Sequence, residues 1–377
     1  MATKRDVGGR GEWMIDDDPI HLREWGTDTI HVLPWSRGER IIGAADGCWL
    51  KLGDQTGGIS RQHAKLTRAD GLWIIRGLHS KSGVRLDGAV HRGSVLTPGI
   101  EIGIGGVTLI VESRRWCVLR DVVARLIGWS VERRADVDRA MRAIRGAACR
   151  RETLLICGDG DLVSIARLLH RHALGDERPF VVCDPRRRTT DATGCRAANV
   201  PSGRHALEAA AGGTLCVWRG RTPIRFTEVA VAARDPDSRV QLVVCTRTLQ
   251  HGEPLISSPI VLPPLSRRLL ELPRIIEAYA ADAVADLGGE LLPVDRDWIT
   301  TNEAATLSQI EQATRRLLAL RNARGRVSLA ANLLGMTHGA LSEWVARRMM
   351  LPVLRREAGP EPPRACLPST TPCSAVR

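Results

Sequence analysis

The hydrophobic pattern changes period along this chain, and that change restricts it to a series of unlike domains. Residues 38–112 break into strand-length runs, among them RII, WLKL, HAKLT, LWIIRGL, VRLDG, IEIGIGG and VTLIVE, with turn residues such as ADG, GDQTGG and DG every 8–12 positions. That is the pattern of an all-β sandwich or barrel. Residues 114–151 switch to helical spacing in DVVARLIGW and VDRAMRAIRGAACRR. From about residue 152 to 262, the continuous apolar runs TLLIC, FVVC, TLCV and VQLVVCT alternate with helical stretches. Strands buried on both faces between helices indicate a parallel α/β sheet. Helical patterns return at 265–289 and 303–349, and the chain closes on a Pro-rich end. The expected division is an arm over 1–37, a β-sandwich over 38–113, a helical linker over 114–151, an α/β domain over 152–292, a helical domain over 293–350 and a disordered tail over 351–377.

Charge narrows the chemistry. Of 377 residues, 54 are Lys or Arg and 42 are Asp or Glu, for a net charge of +12. The lysines are only Lys4, Lys51, Lys65 and Lys81. No Schiff-base enzyme and no P-loop lysine can therefore lie beyond residue 81. The ten cysteines include no CxxC pair. Cys157, Cys183, Cys216 and Cys245 sit in apolar runs, as small core hydrophobes do. The spacing signals neither a zinc site nor a disulfide framework, and no cofactor is expected. No apolar run reaches the roughly 18 residues of a membrane span, and the N-terminus has no secretory h-region. A cytoplasmic protein without membrane partners is the expectation.

Residues 41–106 carry a resemblance. The series IIGAADG, GGISRQHAKL, GLHSKSGVRLDG and LTPGIEIGIGG is similar to the forkhead-associated (FHA) family, whose pattern runs Gly-Arg, Ser-Arg-x-His, then Ser-x-Asn-Gly on an eleven-stranded β-sandwich that reads phosphothreonine peptides. The resemblance implies structural roles for Gly43 and His63, the latter bonding loop to loop. It implies a phosphopeptide site at Ser60, Arg61, Lys81, Ser82 and Gly83. A hydroxyl and guanidinium groups at one rim suit a phosphate of about −2 charge. Two positions depart from the family: Ala44 stands for its Arg and Ser82 for its Asn. Lys81 and Arg40 are candidates to replace the lost charge.

A second resemblance covers about 150 residues. LLICGDGDLVSIARLLHRHAL, RPFVVCDP, AAAGGTLCVWRG, RVQLVVCTRT and LPPLSRRLLELPRII occur in the order of the AAA+ domain of enhancer-binding proteins, the ATPases that activate sigma-54 RNA polymerase. It implies a P-loop-type parallel sheet whose chemistry has been removed. The Gly158–Leu162 loop is short, lacks the lysine and presents two acids where phosphate oxygens would lie. Gly158, Gly160, Trp218 and Arg219 mark the degenerate nucleotide site, with Trp218 and Arg219 at the family's magnesium-binding Asp and catalytic Glu. The 31 residues between Phe180 and Gly212 are too few for the family's insert, and no GAFTGA is present. A non-enzymatic pseudo-ATPase is expected.

The segment RVSLAANLLGMTHGALSEWVARRM has the spacing of a helix-turn-helix, with Ala331, Gly335, Leu341 and an inward Trp344. The resemblance implies a Fis-like DNA-binding module. Thr337, His338 and Ser342 would face the groove, and Arg347 and Arg348 would take phosphates. Residues 301–377 carry eleven Arg against five Glu, which suits phosphate contacts. The combined expectation is a multidomain chain: an N-terminal all-β FHA sandwich, a central AAA+-like α/β sheet and a C-terminal all-α helix-turn-helix. Its expected function is transcriptional regulation, with DNA and a phosphothreonine-containing protein (a Ser/Thr kinase or its substrate) as partners and oligomerisation allowed. The alternative is an FHA scaffold in kinase signalling that does not bind DNA.

Overall fold

The computed structural model describes residues 17–36, 38–53, 58–80, 82–150, 152–186, 198–249 and 259–348. The chain forms two compact units, residues 1–275 with 305–308, and 276–304 with 309–377.

Among the described residues, the first unit opens with a sandwich of eleven strands: β1 (Pro19–Glu24), β2 (Ile30–Val32), β3 (Arg40–Gly43), β4 (Leu50–Lys51), β5 (Ala64–Ala69), β6 (Leu72–Gly77), β7 (Val84–Leu86), β8 (Ala89–His91), β9 (Gly93–Val95), β10 (Glu101–Ile104) and β11 (Val107–Ser113). One sheet runs β2-β1-β11-β10-β7-β8 and the other β4-β3-β5-β6-β9. Alternation decides what faces inward. Ala64 and Leu66 on β5, and Trp73 and Ile75 on β6, are buried, while their neighbours are half-buried or exposed. The sandwich starts earlier than its sequence pattern implied. β1 and β2 come from the stretch read as an arm, because β1 pairs along nearly its whole length with β11.

The segment read as a linker is packed. α1 (Arg114–Ile127) leaves β11 with no intervening loop, its N-terminus capped by the Ser113 hydroxyl, which accepts from Trp116 N at 3.1 Å. α2 (Arg134–Arg150) follows. Gly99 (φ +80°) lets the sandwich close on these helices, since a Cβ there would lie 2.2 Å from the Trp116 ring. Arg145 on α2 donates to both oxygens of Asp87 at 2.9 Å, and Arg142 grips Glu101 at 2.6 and 2.7 Å.

The deepest tie is ionic. Arg23 on β1 is 1% exposed and donates to Glu112 at 2.7 Å, to Asp138 on α2 at 2.5 and 3.1 Å, and to the Glu24 and Thr27 carbonyls. Burial alone would lower this guanidinium. The hydrogen bond to Asp138 and the charges of Glu112 and Asp138 outweigh it and hold the group above its ordinary value.

The α/β part consists of β12 (Leu154–Cys157), α3 (Leu162–Leu174), β13 (Phe180–Cys183), β14 (Ala198–Asn199), α4 (Gly203–Ala209), β15 (Thr214–Trp218), α5 (Phe226–Ala233), β16 (Gln241–Thr246) and β17 (Ile260–Val261). All pairs are parallel, in the order β14-β13-β15-β16-β12-β17. Every residue of β12 and β16 is buried, which is why they read as unbroken apolar runs. His170 on α3 is buried against the sheet, its Nδ1 2.8 Å from Thr214 Oγ1 and its Nε2 3.1 Å from the Arg178 carbonyl. A carbonyl only accepts, so Nε2 carries the proton.

α6 (Leu272–Leu287) runs into the second unit, which continues with α7 (Pro293–Asn302), α8 (Leu307–Asn322), α9 (Val327–Leu334) and α10 (His338–Arg347). The change of unit falls at 275–276, ahead of the expected 292–293. No helix among the described residues is long and apolar enough to cross a membrane. The tail expected over 351–377 lies outside the described residues.

Replacing Arg23 by Ala strands two buried carboxylates, and breaking such a pair costs about 3–5 kcal/mol. Urea unfolding of Arg23→Ala is expected to show a loss of that size, against less than about 1 kcal/mol for the exposed Arg204→Ala.

Candidate functional site

The loops at one end of the sandwich form a rim with a pinned backbone. Gly43 ends β3 where the β4–β5 loop crosses it, and a Cβ there would lie 2.2 Å from the Arg61 carbonyl oxygen. Only glycine admits that approach. Ala44 N donates to the Ser60 carbonyl and Ala45 N to the Arg61 carbonyl, each at 3.1 Å. His63 is fully buried below. Its Nδ1 accepts from Ser60 N at 3.1 Å and its Nε2 donates to the Gly83 carbonyl at 3.0 Å, tying the β4–β5 loop to the β6–β7 loop. Ser82 adds a second tie, its hydroxyl donating to the Gly58 carbonyl at 3.1 Å. Gly83 takes the left-handed conformation at φ +66°.

The side chains over this frame are free. Among the described residues, the Ser60 hydroxyl and the exposed Arg61 guanidinium have no hydrogen-bond or ion-pair partner, and the buried Ser80 hydroxyl has none. Lys81 lies outside the described residues. Arg40 does not reach the rim. It begins β3 opposite Leu66, three residues from Gly43, and donates to Ser36 at 2.6 Å.

Lys51 is the cation that sequence reasoning missed. β3 and β4 are parallel with Gly43 opposite Lys51. Ile42 and Leu50 point into the core, so Gly43 and Lys51 face outward together, beside the Ser60–Arg61 backbone. Lys51 Nζ is held 2.5 Å from Asp46, and that hydrogen bond lowers the Asp46 carboxyl from its ordinary range. The available signal was the lysine distribution, since three of the four lie between residues 51 and 81. A groove of about 440 Å³ lies on the same sheet, lined by Ile74, Arg76 and Arg92–Val95. Gly77 N donates to the Arg92 carbonyl and Leu78 N to the His63 carbonyl, so the groove adjoins the rim through the start of the β6–β7 loop. Arg76 and Arg92 have no acidic partner among the described residues.

The second set of residues lies at the carboxyl edge of the parallel sheet, where such sheets hold ligands at a switch in strand order. β12 lies at that switch, between β16 and β17. Gly158 follows it, with a would-be Cβ 2.8 Å from Leu262. Asp161 caps α3, accepting from Ser164 N at 3.3 Å and Ser164 Oγ at 2.6 Å. Its own amide donates to Ser308 Oγ at 3.2 Å. A Cβ at Gly160 would lie 3.2 Å from Thr306. A carboxylate and a serine thus hold the positions where an anion would meet a helix N-terminus. Trp218 ends β15 opposite Cys245, and Arg219 opens the next turn.

In the second unit, α9 and α10 are joined by Gly335, Met336 and Thr337. Gly335 is left-handed (φ +59°), and the Thr337 hydroxyl accepts from Ala340 N at 3.3 Å. Leu341, Trp344 and Val345 are buried, Thr337, His338 and Arg347 are exposed, and Ser342 is half-buried. Arg348, expected to take phosphates, has partners within its own unit. It bonds the buried Glu303 and lies 4.8 Å over the Trp344 ring, so it is committed to packing. Arg347 pairs with Glu343 one turn back at 2.9 Å.

A family model of the FHA domain matches residues 40–105. Similar solved structures include an FHA domain from Chlamydia trachomatis (26% identity, 25% of this chain and 95% of that chain, TM-score 0.22). The N-terminal FHA domain of S. cerevisiae Rad53p in complex with a phosphothreonine peptide is similar at 20% identity (25% and 92% covered, TM-score 0.22). Mycobacterium tuberculosis EmbR in complex with a low affinity phosphopeptide is similar at 18% (26% and 24% covered, TM-score 0.23). No curated protein matches the chain. By the family match, the chain carries an FHA domain.

Gly43→Ala is expected to destabilise the protein by about 1–3 kcal/mol through overpacking against the Arg61 carbonyl, measured as a lowered urea midpoint. Gly47→Ala, where a Cβ meets open space, is expected to be near neutral.

Proposed function

We propose that the chain is a phosphothreonine-reading interaction protein in Ser/Thr kinase signalling, built on a core that performs no catalysis. The observation that carries this reading is the pairing of a pinned rim backbone with a free hydroxyl and guanidinium at Ser60 and Arg61. A phosphate dianion takes both groups as donors. Lys51 replaces the family Arg lost at Ala44, leaving Asp46 for the phosphate. Arg76 and Arg92 favour acidic residues flanking the phosphothreonine.

The α/β part serves as a scaffold related to AAA+ domains. The support is its parallel order and the occupied loop after β12, where Asp161 and Ser308 fill the place of phosphate oxygens. Trp218 and Arg219 offer no metal ligand at the remaining positions.

The test is titration of the full-length protein with phosphothreonine peptides having acidic flanks, against the same peptides unphosphorylated. Arg61→Ala is expected to weaken binding about 10–100-fold, the worth of a hydrogen bond to a charged group. Lys51→Ala weakens it and Asp46→Asn strengthens it. Equal affinity for both peptide forms would reject the reading.

A second reading adds DNA binding, favoured by the three-residue turn between α9 and α10 and the exposed Thr337, His338 and Arg347. The chain would then regulate transcription by occupying a site. Retention of genomic fragments at about 150 mM salt, with the log–log salt slope reduced by about one in Arg347→Ala, is the expected result. Arg348→Ala is no test, because it also unpairs Glu303.

A further inference from the structure

Away from the rim, side chains from three separate elements converge where the sandwich meets its first helix. His21 on β1, Glu112 on β11 and Cys117 on α1 bring Nε2, Oε2 and Sγ together. The distances are 2.7 Å from His21 to Glu112, 3.8 Å from Cys117 to His21 and 3.9 Å from Cys117 to Glu112. From this geometry we infer that His21, Glu112 and Cys117 form a binding site for a divalent transition-metal ion, with Zn²⁺ the best fit to the donors.

The donor set is one imidazole nitrogen, one carboxylate oxygen and one sulfur, a mixture suited to a borderline-soft ion and poorly suited to Ca²⁺ or Mg²⁺. Tetrahedral zinc with bonds of about 2.0–2.3 Å sets its ligand atoms roughly 3.4–3.6 Å apart. The two edges to sulfur are already within a few tenths of an ångström of that. The His21–Glu112 edge is shorter because a proton now bridges it. The ion takes the place of that proton and opens the edge by about 0.7 Å.

Glu112 divides its oxygens between two tasks. Oε1 takes Arg23 at 2.7 Å and lies 4.0 Å from Arg120, whereas Oε2 faces His21 and Cys117. The arginines therefore sit on the oxygen turned away from the ion, where they orient the carboxylate as an outer-shell partner does. Burial also favours a fixed site, because Glu112 is buried and His21 and Cys117 are half-buried. The fourth position falls to water. On binding, the Cys117 thiol gives up its proton to solvent and forms the metal–sulfur bond. The His21 proton passes from Nε2 to Nδ1, freeing the Nε2 lone pair.

Such an ion would staple β1, β11 and α1 together. The site is independent of the phosphopeptide reading.

The test uses the full-length protein, stripped of metal and fully reduced, titrated anaerobically with Co²⁺. The expected result is saturation at one equivalent, with a near-ultraviolet sulfur-to-cobalt charge-transfer band, visible bands of tetrahedral cobalt, and displacement by Zn²⁺. Cys117→Ser loses the charge-transfer band. His21→Gln keeps the fold and weakens binding at least about 10-fold. Cys48→Ser and Cys149→Ser leave the titration unchanged. Absence of the band at millimolar Co²⁺, or a band that persists in Cys117→Ser, would overturn the proposal.

Discussion

Arg23 is a cation with almost no access to water, and the first unit is arranged to tolerate it. Its guanidinium spends its donors on Glu112, Asp138 and the carbonyls of Glu24 and Thr27. Glu112 belongs to the sandwich and Asp138 to α2, so satisfying one buried charge fixes two layers at once. Buried ion pairs contribute little net stability compared with apolar packing of the same volume, but their directional demands penalise other arrangements. Arg142 and Arg145 reinforce the contact from the same helix. The FHA sandwich is thus one layer of a larger unit, continuous with α1 through Ser113.

The same division between fixed frame and free chemistry recurs at the rim. Gly43, His63 and Ser82 spend their interactions on backbone, and each joins one loop to another. Ser60 and Arg61 keep their side-chain donors unspent. Order in the frame removes part of the entropy that a ligand would otherwise have to overcome on binding. The carboxyl edge of the parallel sheet has the opposite character. There the helix N-terminus is capped from within by Asp161, and the neighbouring amide is taken by Ser308. One edge of the first unit leaves its side-chain donors free, and another has its own carboxylate at a helix N-terminus.

Much of this was legible in the sequence because period-2 alternation and unbroken apolar runs are local signals. Strands β3 to β7, β10 to β13, β15 and β16 follow from them, whereas the two- and three-residue strands β8, β9 and β14 are too short to carry a pattern. The misreadings have physical causes. β1 and β2 were taken for an arm because PIHLRE and IHV mix charge with apolar residues. Arg23 and Glu112 are charged core residues, which hydropathy cannot place. The bond of Arg348 to Glu303 joins residues 45 apart, which no local pattern reveals. Ser60, Arg61, His63 and Gly83 stand out through the resemblance to the FHA pattern. Lys51 does not, because its position depends on the parallel pairing of β3 with β4, and His21, Glu112 and Cys117 meet only through the fold.

The central claim is that the rim around Ser60 and Arg61 is a working phosphothreonine site despite Ala44. Hydrogen–deuterium exchange of the full-length protein, with and without a saturating phosphothreonine peptide, addresses it most directly. The account predicts slowed exchange at residues 44–45, 60–63 and 82–83, with residues 158–164 unchanged. Unaltered exchange at the rim, or protection confined to the α/β sheet, would contradict it.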